Sequence, residues 1–394
     1  MIPSPEGGQV VFGEMVEWSI TPVLKTGVPR GTGGSNPSLS AKGFEKLADL
    51  SGFLSFLQKL QPLLIQRSET TRVRLLTYNL FFSAMRKLFL VIQFAICVAA
   101  ALPAAAQVHA HMKLWDRKYR YPKVNSVEFR GDVPSLSMYD AIYGHGAMWE
   151  NEWIGFRVYM DHRQSIDLYG KKAAQLELDS TNFYSSRELM SEGFGEDILF
   201  VGGSIGAGSF RGYETGVPTF VDPVRTRGQR VLSEGPDTAI VEVYACDWQY
   251  REHTIQFRQR FTALRGRRDV QVDVWLEGCP DTEVFCTGVQ KLESEGEGYT
   301  DPRGLVASWG TNIPDKGNAD LVERLGIGVC VDRRNVVGIR EDELNYLCLV
   351  RPVGGHIRYY IAAASDMQQE GGFHSSCDWF QWVANYDWGA APKE

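Results

Sequence analysis

The feature that most constrains the fold of this chain is an alternation of apolar and polar residues that recurs in short runs from residue 107 onward. In residues 153–161 the two parities separate into an apolar and a mostly polar set, namely Ile154, Phe156, Val158 and Met160 against Gly155, Arg157, Tyr159 and Asp161. A period of two over this length is typical of a β-strand with one buried face. Comparable runs recur at residues 124–129, 165–169, 238–244, 254–264, 270–276, 283–289, 325–331, 346–350 and 357–363.

These many short strands, separated by Gly, Pro, Asn and Asp, predict a mainly β protein built as an antiparallel β-sandwich. No regular β–α alternation occurs, which disfavours a doubly wound sheet. Helical patterns are few. Residues 185–191 predict a short helix, and residues 375–385 predict a second one with Ser375 or Ser376 as its N-terminal cap and aromatic residues to bury.

A leader-like segment precedes the alternating region. Arg86 and Lys87 open an apolar run that ends in Ala104-Ala105-Ala106. A basic start, a short apolar core and a small-residue end predict a secretory signal peptide at residues 85–106. The run is short for a bilayer span of about 20 residues, and a retained membrane anchor is the alternative. We therefore expect a single mature domain at residues 107–394 and a periplasmic or secreted location.

Residues 1–84 lie ahead of this signal and have no steady hydrophobic period. Their stretch Gly34-Ser35-Asn36-Pro37 resembles the translation of a transfer-RNA T-arm. We expect residues 1–84 to be a spurious or disordered extension, with Met85 as the real start. A genuine N-terminal extension is the alternative.

The net charge of residues 107–394 limits the classes of partner that they can bind. Residues 1–106 hold 10 basic and 6 acidic residues, which leaves 31 basic and 42 acidic residues for the rest. A net charge of −11 argues against nucleic acid and anionic membranes as partners.

Six cysteines remain in residues 107–394 without a CxxC pair, so a zinc site of that type is not expected. Cys330 and Cys348 are expected as buried thiols, and Cys279 with Cys286 could bridge a turn.

The densest group of polar and aromatic residues falls in residues 143–172. A concave sheet carrying such residues would suit a sugar, whose rim forms hydrogen bonds while its C–H face stacks on rings. An ion-paired solvent face is the alternative. The residues predicted to handle a ligand are His145, Trp149, Glu150, Arg157, Tyr159, Asp161, Arg163, Asp167 and Lys171, together with Trp309 further along the chain.

Four stretches can be compared with known families, namely residues 143–172, residues 193–213, residues 283–292 with 304–314, and the tail 374–388. Together they resemble the domain-of-unknown-function family 4861. The family is typical of exported proteins from polysaccharide-degrading bacteria of the Bacteroides type. The resemblance implies a galactose-mutarotase-like supersandwich fold. It also implies that the protein occurs together with enzymes that degrade pectin-like, uronic-acid-rich chains. It places the family's polar positions on His145, Glu150, Arg157, Tyr159, Asp161, Asp167, Lys171, Asp197, Gln290, Lys291, Trp309 and Thr311.

The sequence therefore predicts an exported lyase or hydrolase whose partner is a uronic-acid-containing oligosaccharide or polysaccharide, with no cofactor and no metal. His145 or Tyr159 is expected as the base, Glu150 as a further acid or base, and Arg157, Arg163 or Lys171 as the group that holds the sugar carboxylate. Trp149 and Trp309 are expected to stack on the sugar. A glycan-binding protein without catalysis, and a mutarotase-like epimerase with His and Glu as acid and base, are the alternatives.

Overall fold

The computed structural model describes residues 9–11, 108–116, 121–293, 298–312, 323–369 and 371–390, all of which belong to one compact unit. The strands are β1 Gln9–Val11, β2 Val108–Leu114, β3 Ser126–Arg130, β4 Ile142–Asn151, β5 Ile154–Tyr159, β6 Ile166–Gly170, β7 Glu196–Asp197, β8 Arg211–Glu214, β9 Val217–Thr219, β10 Thr226–Glu234, β11 Thr238–Tyr250, β12 His253–Leu264, β13 Val270–Glu277, β14 Phe285–Gln290, β15 Gly298–Asp301, β16 Leu305–Asn312, β17 Glu323–Val331, β18 Val336–Glu341, β19 Asn345–Val350 and β20 His356–Ser365. The helices are α1 Ser135–Ala141, α2 Leu178–Thr181, α3 Arg187–Ser191 and α4 Ser376–Asn385, and a 3₁₀ turn spans Arg333–Asn335.

Three sheets make up the unit. The largest has ten strands in the order β1-β3-β10-β11-β12-β13-β20-β17-β16-β15. The two others have five strands each, in the orders β18-β19-β14-β8-β9 and β2-β4-β5-β6-β7. Neighbouring strands run antiparallel except β1 and β3, which are parallel. The predicted antiparallel β-sandwich is confirmed, whereas the mutarotase-like variant of it stays a prediction.

The main core lies between the ten-stranded sheet and the two smaller sheets. Strands β4 and β5 contact β11, β12 and β20 of the large sheet. Ile154, Phe156 and Val158 on β5 are completely buried there, as the alternation in that run predicts. We call the sheet β2-β4-β5-β6-β7 the site sheet, and the face that points away from this core its outer face.

The outer face of the site sheet is covered, which differs from the solvent-exposed face that alternation alone suggests. All residues of β5 except Tyr159 are buried, including Arg157 at 1 % exposure. Residues Leu178 and Phe183 pack with Met148 and Tyr169 on this side. The irregular segment with α2 and α3 therefore forms a second layer over the polar residues of the sheet.

The predicted C-terminal helix forms as α4. The Ser375 hydroxyl accepts a hydrogen bond from the backbone N–H of Asp378 and caps the helix. The helix packs on β16 and β17. Gly326 permits this contact, because a Cβ at that position would lie 2.6 Å from the Trp379 ring.

The six described cysteines are free thiols, so the possible bridge between Cys279 and Cys286 does not form. Cys348 is fully buried and Cys330 is half-buried. The predicted signal peptide at residues 85–106 lies outside the described residues, as does the predicted extension at 1–84 apart from β1. In the described part of the chain, no helix has the length and apolar character to cross a membrane.

Candidate functional site

The candidate site is built on the outer face of the site sheet, where polar residues of neighbouring strands face each other. Arg157 of β5 is directly opposite Asp167 of β6, and Tyr169 of β6 is opposite Asp197 of β7. This register brings residues that are 10 to 40 positions apart in sequence into one cluster.

Arg157 is the centre of this cluster. Its guanidinium donates to the carboxylates of Asp167 and, at 3.3 Å, Asp197. It also donates to the hydroxyls of Tyr159 at 2.8 Å and Tyr184 at 2.7 Å. These contacts fix both hydroxyls beside one buried cation.

Two acidic side chains share this single cation, and burial raises the pKa of both. Burial, together with the neighbouring Asp167 carboxylate, raises the pKa of Asp197 well above its usual range. The Asp197 side chain keeps 22 % of its surface exposed, whereas Asp167 keeps 3 %. Asp197 is therefore a candidate proton donor that a ligand can reach.

A pocket of about 270 Å³ opens next to this cluster. Small-molecule pockets usually start at about 300 Å³, so this one suits a small molecule better than a long chain segment. Polar and aromatic groups dominate its wall, which consists of Tyr139, His145, Tyr159, Arg163, Ser165, Asp167, Tyr184, Asp197, Leu199, Phe200, Val201 and Gly202.

His145 enters the pocket wall from an unusual backbone conformation. Its φ is +70°, in the left-handed region, and it lies between Gly144 and Gly146 on β4. The imidazole is surrounded by the rings of Tyr139 at 4.8 Å and Tyr159 at 6.1 Å. Burial and the nearby Arg157 lower the pKa of His145. The imidazole is therefore neutral at physiological pH, as a general base must be.

A second ion pair, between Asp161 and Arg163, lies next to the pocket, and Arg163 belongs to the pocket wall. The Asp161 carboxylate accepts hydrogen bonds from the Tyr139 hydroxyl at 2.6 Å and from Arg163 Nε at 2.8 Å. Burial alone would raise the pKa of Asp161, but these two donors lower it below its usual range. Arg163 keeps 36 % of its side chain exposed. A guanidinium held in this way can meet a ligand carboxylate without first losing its position.

Both tyrosine hydroxyls of the inner wall are weak acids. Burial and the Asp167 carboxylate raise the pKa of Tyr159, and burial and the bond to Asp161 raise the pKa of Tyr139. Each phenol therefore keeps its proton at neutral pH. Tyr159 therefore lines the pocket in its protonated form.

The structure brings six of the predicted site residues together at or directly behind the pocket, namely His145, Arg157, Tyr159, Asp161, Arg163 and Asp167. Four others lie elsewhere. Glu150 and Lys171 are completely buried and form an ion pair with each other. The predicted roles of Glu150 in catalysis and of Lys171 in binding a carboxylate do not fit this burial, and the site we propose leaves both out.

The two predicted stacking residues also lie away from the pocket. Trp149 is 1 % exposed and stacks between Phe156 at 5.4 Å and Phe261 at 4.5 Å in the main core. Trp309 is 1 % exposed and belongs to the apolar cluster with Trp379 under α4. Neither indole has a face open to a ligand, so the proposed site contains neither.

Tyr139 and Tyr184 are site residues that sequence reasoning missed. Tyr139 comes from α1 and Tyr184 from the loop after α2, which has no hydrophobic period to place it. Only a family motif points to Asp197 in the sequence, and its pairing beside β6 explains its presence here.

A family model described as "Domain of unknown function (DUF4861)" matches residues 78–389, which include every residue of the pocket. No curated protein matches the chain.

Proposed function

The chain belongs to the DUF4861 family, and on that premise we propose that it is an exported carbohydrate-active protein, a lyase or hydrolase of oligosaccharides that contain uronic acids. Of the two reactions, the pocket supports the lyase better. The observation that carries this choice is that a neutral imidazole, a protonated phenol and an exposed guanidinium, those of His145, Tyr159 and Arg163, line one pocket.

Elimination from a uronic acid needs these three groups. A base removes the proton on the ring carbon beside the carboxylate, and the electron pair forms a double bond as the neighbouring C–O bond breaks. In our proposal His145 takes the proton and Arg163 stabilises the charge that develops on the sugar carboxylate. Tyr159 or the protonated Asp197 donates a proton to the leaving oxygen.

Electrostatics of the pocket are compatible with an acidic sugar despite the negative charge of the whole chain. Arg157 and Arg163 face Asp161, Asp167 and Asp197. The raised pKa of Asp197 allows it to hold a proton, which brings this set close to neutrality. An anionic ligand then meets Arg163 without a strong opposing field.

The test is an assay of residues 107–394 against pectic and other uronic oligosaccharides, following the absorbance of the unsaturated product and the appearance of new reducing ends. We expect His145→Ala to lower kcat by a factor of about 10² to 10⁴, the usual contribution of a general base. Tyr159→Phe should lower kcat while the fold is kept. Because only the neutral imidazole accepts a proton, kcat/KM should fall at low pH, with a midpoint below 6.5, the ordinary pKa of histidine.

Matched controls exist outside the pocket. Tyr244 donates to Glu128 at 2.9 Å on the large sheet, and His253 lies 3.3 Å from Glu283. Tyr244→Phe and His253→Ala should leave turnover unchanged. Equal losses in these controls and in the pocket variants would contradict the proposed roles of His145 and Tyr159.

A glycan-binding protein without catalysis is the second candidate. It is favoured by the observation that Tyr139 and Tyr159 already form hydrogen bonds to carboxylates within the protein. Sugar binding that survives His145→Ala, with no product from any oligosaccharide of the panel, would support this candidate over the lyase.

A further inference from the structure

A second group of chemically competent side chains lies on the outer face of the site sheet, outside the pocket. His109 and His111 of β2 are two residues apart and therefore point to the same side of the strand. Their rings stack with centroids 5.5 Å apart. Asp179 of α2 completes the group, and one ligand atom from each of the three residues lies within 4.8 Å of the other two.

His111 is the observation that points to a ligand. Its side chain is 2 % exposed, and neither ring nitrogen has a hydrogen-bond partner among the described residues. A buried polar atom without a hydrogen-bond partner destabilises the fold, and a bound ligand would supply the missing partner. A neutral imidazole with a free ring nitrogen is the form of histidine that binds metals.

His109 has the arrangement usual for a metal ligand. Its Nδ1 lies 2.9 Å from the backbone carbonyl oxygen of Glu234. When Nδ1 carries the proton and donates to that carbonyl, the lone pair of Nε2 is free. This Nε2 is buried and has no hydrogen-bond partner in the described part of the chain. Metal-bound histidines commonly donate their other ring N–H to a carbonyl in this way.

Asp179 supplies the third, anionic group. Its carboxylate contacts Lys113 Nζ at 3.0 Å and Lys123 Nζ at 3.1 Å. Lys113 also donates to the Asp179 backbone carbonyl at 2.9 Å, whereas the Lys123 side chain is 41 % exposed. Lys123 is therefore the cation that can move aside when another cation binds.

We propose that His109, His111 and Asp179 bind one divalent transition metal ion of the zinc class, with displacement of Lys123. Two imidazole nitrogens and a carboxylate suit zinc, nickel and copper, whereas magnesium and calcium prefer oxygen ligands. Ligand atoms of a tetrahedral zinc site lie about 3.4 Å apart, so small side-chain movements close the observed group around the ion.

The consequence is structural. Asp179 belongs to α2, and the chain that follows α2 carries Phe183 and Tyr184 onto Arg157. An ion that joins β2 to α2 would hold this covering segment on the sheet. The proposal does not depend on the chemistry of the pocket.

The test is zinc titration of the full, tag-free chain by calorimetry after treatment with a chelator, with cobalt absorption as a second probe and magnesium as a negative control. We expect one equivalent of zinc to bind and to raise the melting temperature. His109→Gln and Asp179→Asn should weaken binding at least tenfold. Lys123→Ala should tighten it, because the competing cation is removed.

The control is His374→Ala, which removes an exposed histidine paired with Asp366 far along the chain. This variant should bind zinc as the parent does. Zinc binding that is absent, or that is unchanged in both His109→Gln and Asp179→Asn, would overturn the proposal. His109 and Asp179 are not fully buried, so their substitution should leave the protein folded. The test therefore does not require a variant at the buried His111.

Discussion

Two buried ionic groups on the outer face of the site sheet differ in how completely their charges are matched. At one end, the Lys171 ammonium donates to Glu150 and, at 2.7 Å each, to the carbonyls of Asn151 and Gln175. Glu150 also accepts from the backbone N–H groups of Glu177 and Leu178. All three ammonium protons have acceptors, and both side chains are completely buried.

At the other end, Arg157 faces two carboxylates instead of one. Its Nε has no hydrogen-bond partner among the described residues, and Asp197 retains exposed surface. The pocket lies at this end, and neither Glu150 nor Lys171 belongs to its wall. The comparison indicates that the matched pair holds the layers together, while the unmatched cluster keeps polar groups available to a ligand.

We expect the largest loss of stability when the cation of the Glu150–Lys171 pair is removed. Lys171→Met leaves the Glu150 carboxylate buried without its counter-ion. We expect the free energy of unfolding to fall by about 3–5 kcal/mol, the usual cost of breaking a buried pair, as measured by urea denaturation. Addition of Glu150→Gln should restore part of the loss. A loss below about 1 kcal/mol would mean that the pair is hydrated.

A smaller, pH-dependent effect should distinguish the unmatched cluster. The pKa of Asp197 is raised on folding, so the stability it contributes is present below the ordinary aspartate pKa and is lost as pH rises through the folded pKa. The amide introduced by Asp197→Asn cannot ionise. This variant should therefore gain stability relative to the parent as pH rises from about 4 to 8, measured by denaturation at a series of pH values.

The control for this pH series is Asp281, because its pKa is lowered in the folded protein whereas the pKa of Asp197 is raised. The backbone N–H groups of Gly355 and Gly354 lower the pKa of Asp281. Its contribution is therefore present above the ordinary pKa and is lost as pH falls. Asp281→Asn should lose stability relative to the parent as pH rises from about 3 to 5. Parallel pH profiles for both variants and the parent would remove the distinction between the two groups.

The smallest effect is expected for an ion pair that neither group includes. Arg130 and Asp132 contact each other at 3.1 Å with side chains 60 % and 70 % exposed. Arg130→Ala should change the free energy of unfolding by less than about 1 kcal/mol, measured by the same urea method. A larger change would show that burial is not what separates strong from weak pairs in this protein.

The strands of the core could be predicted from sequence because burial on one face repeats every second residue. The run at residues 153–161 predicts β5 at Ile154–Tyr159, and the same parity places Arg157 and Tyr159 on one face. The helix predicted at 375–385 forms at Ser376–Asn385, because a serine cap and buried aromatic residues are local signals.

The candidate site could be predicted less completely than the strands, because the sequence does not show which face of the sheet each side chain occupies. Trp149 and Glu150 are adjacent and so point to opposite sides of β4. Trp149 faces Phe261 in the core, and Glu150 lies under the covering segment. Since that segment has no regular period, neither its position nor the arrival of Tyr184 at the pocket follows from the sequence pattern. The spacing of His109 and His111 places both on one face of a strand. The sequence gives no sign that Asp179, which is distant along the chain, lies next to them.

The attachment of Glu150 to the start of α2 affects how functional screens of this family should be interpreted. The segment that begins there reaches the pocket wall at Tyr184. In the proposed reaction, substitution of Glu150 would lower turnover because Tyr184 would lose its position, although Glu150 is completely buried and does not line the pocket. A screen that records activity alone would count Glu150 as a reacting acid, whereas one that also records melting temperature would separate it from His145.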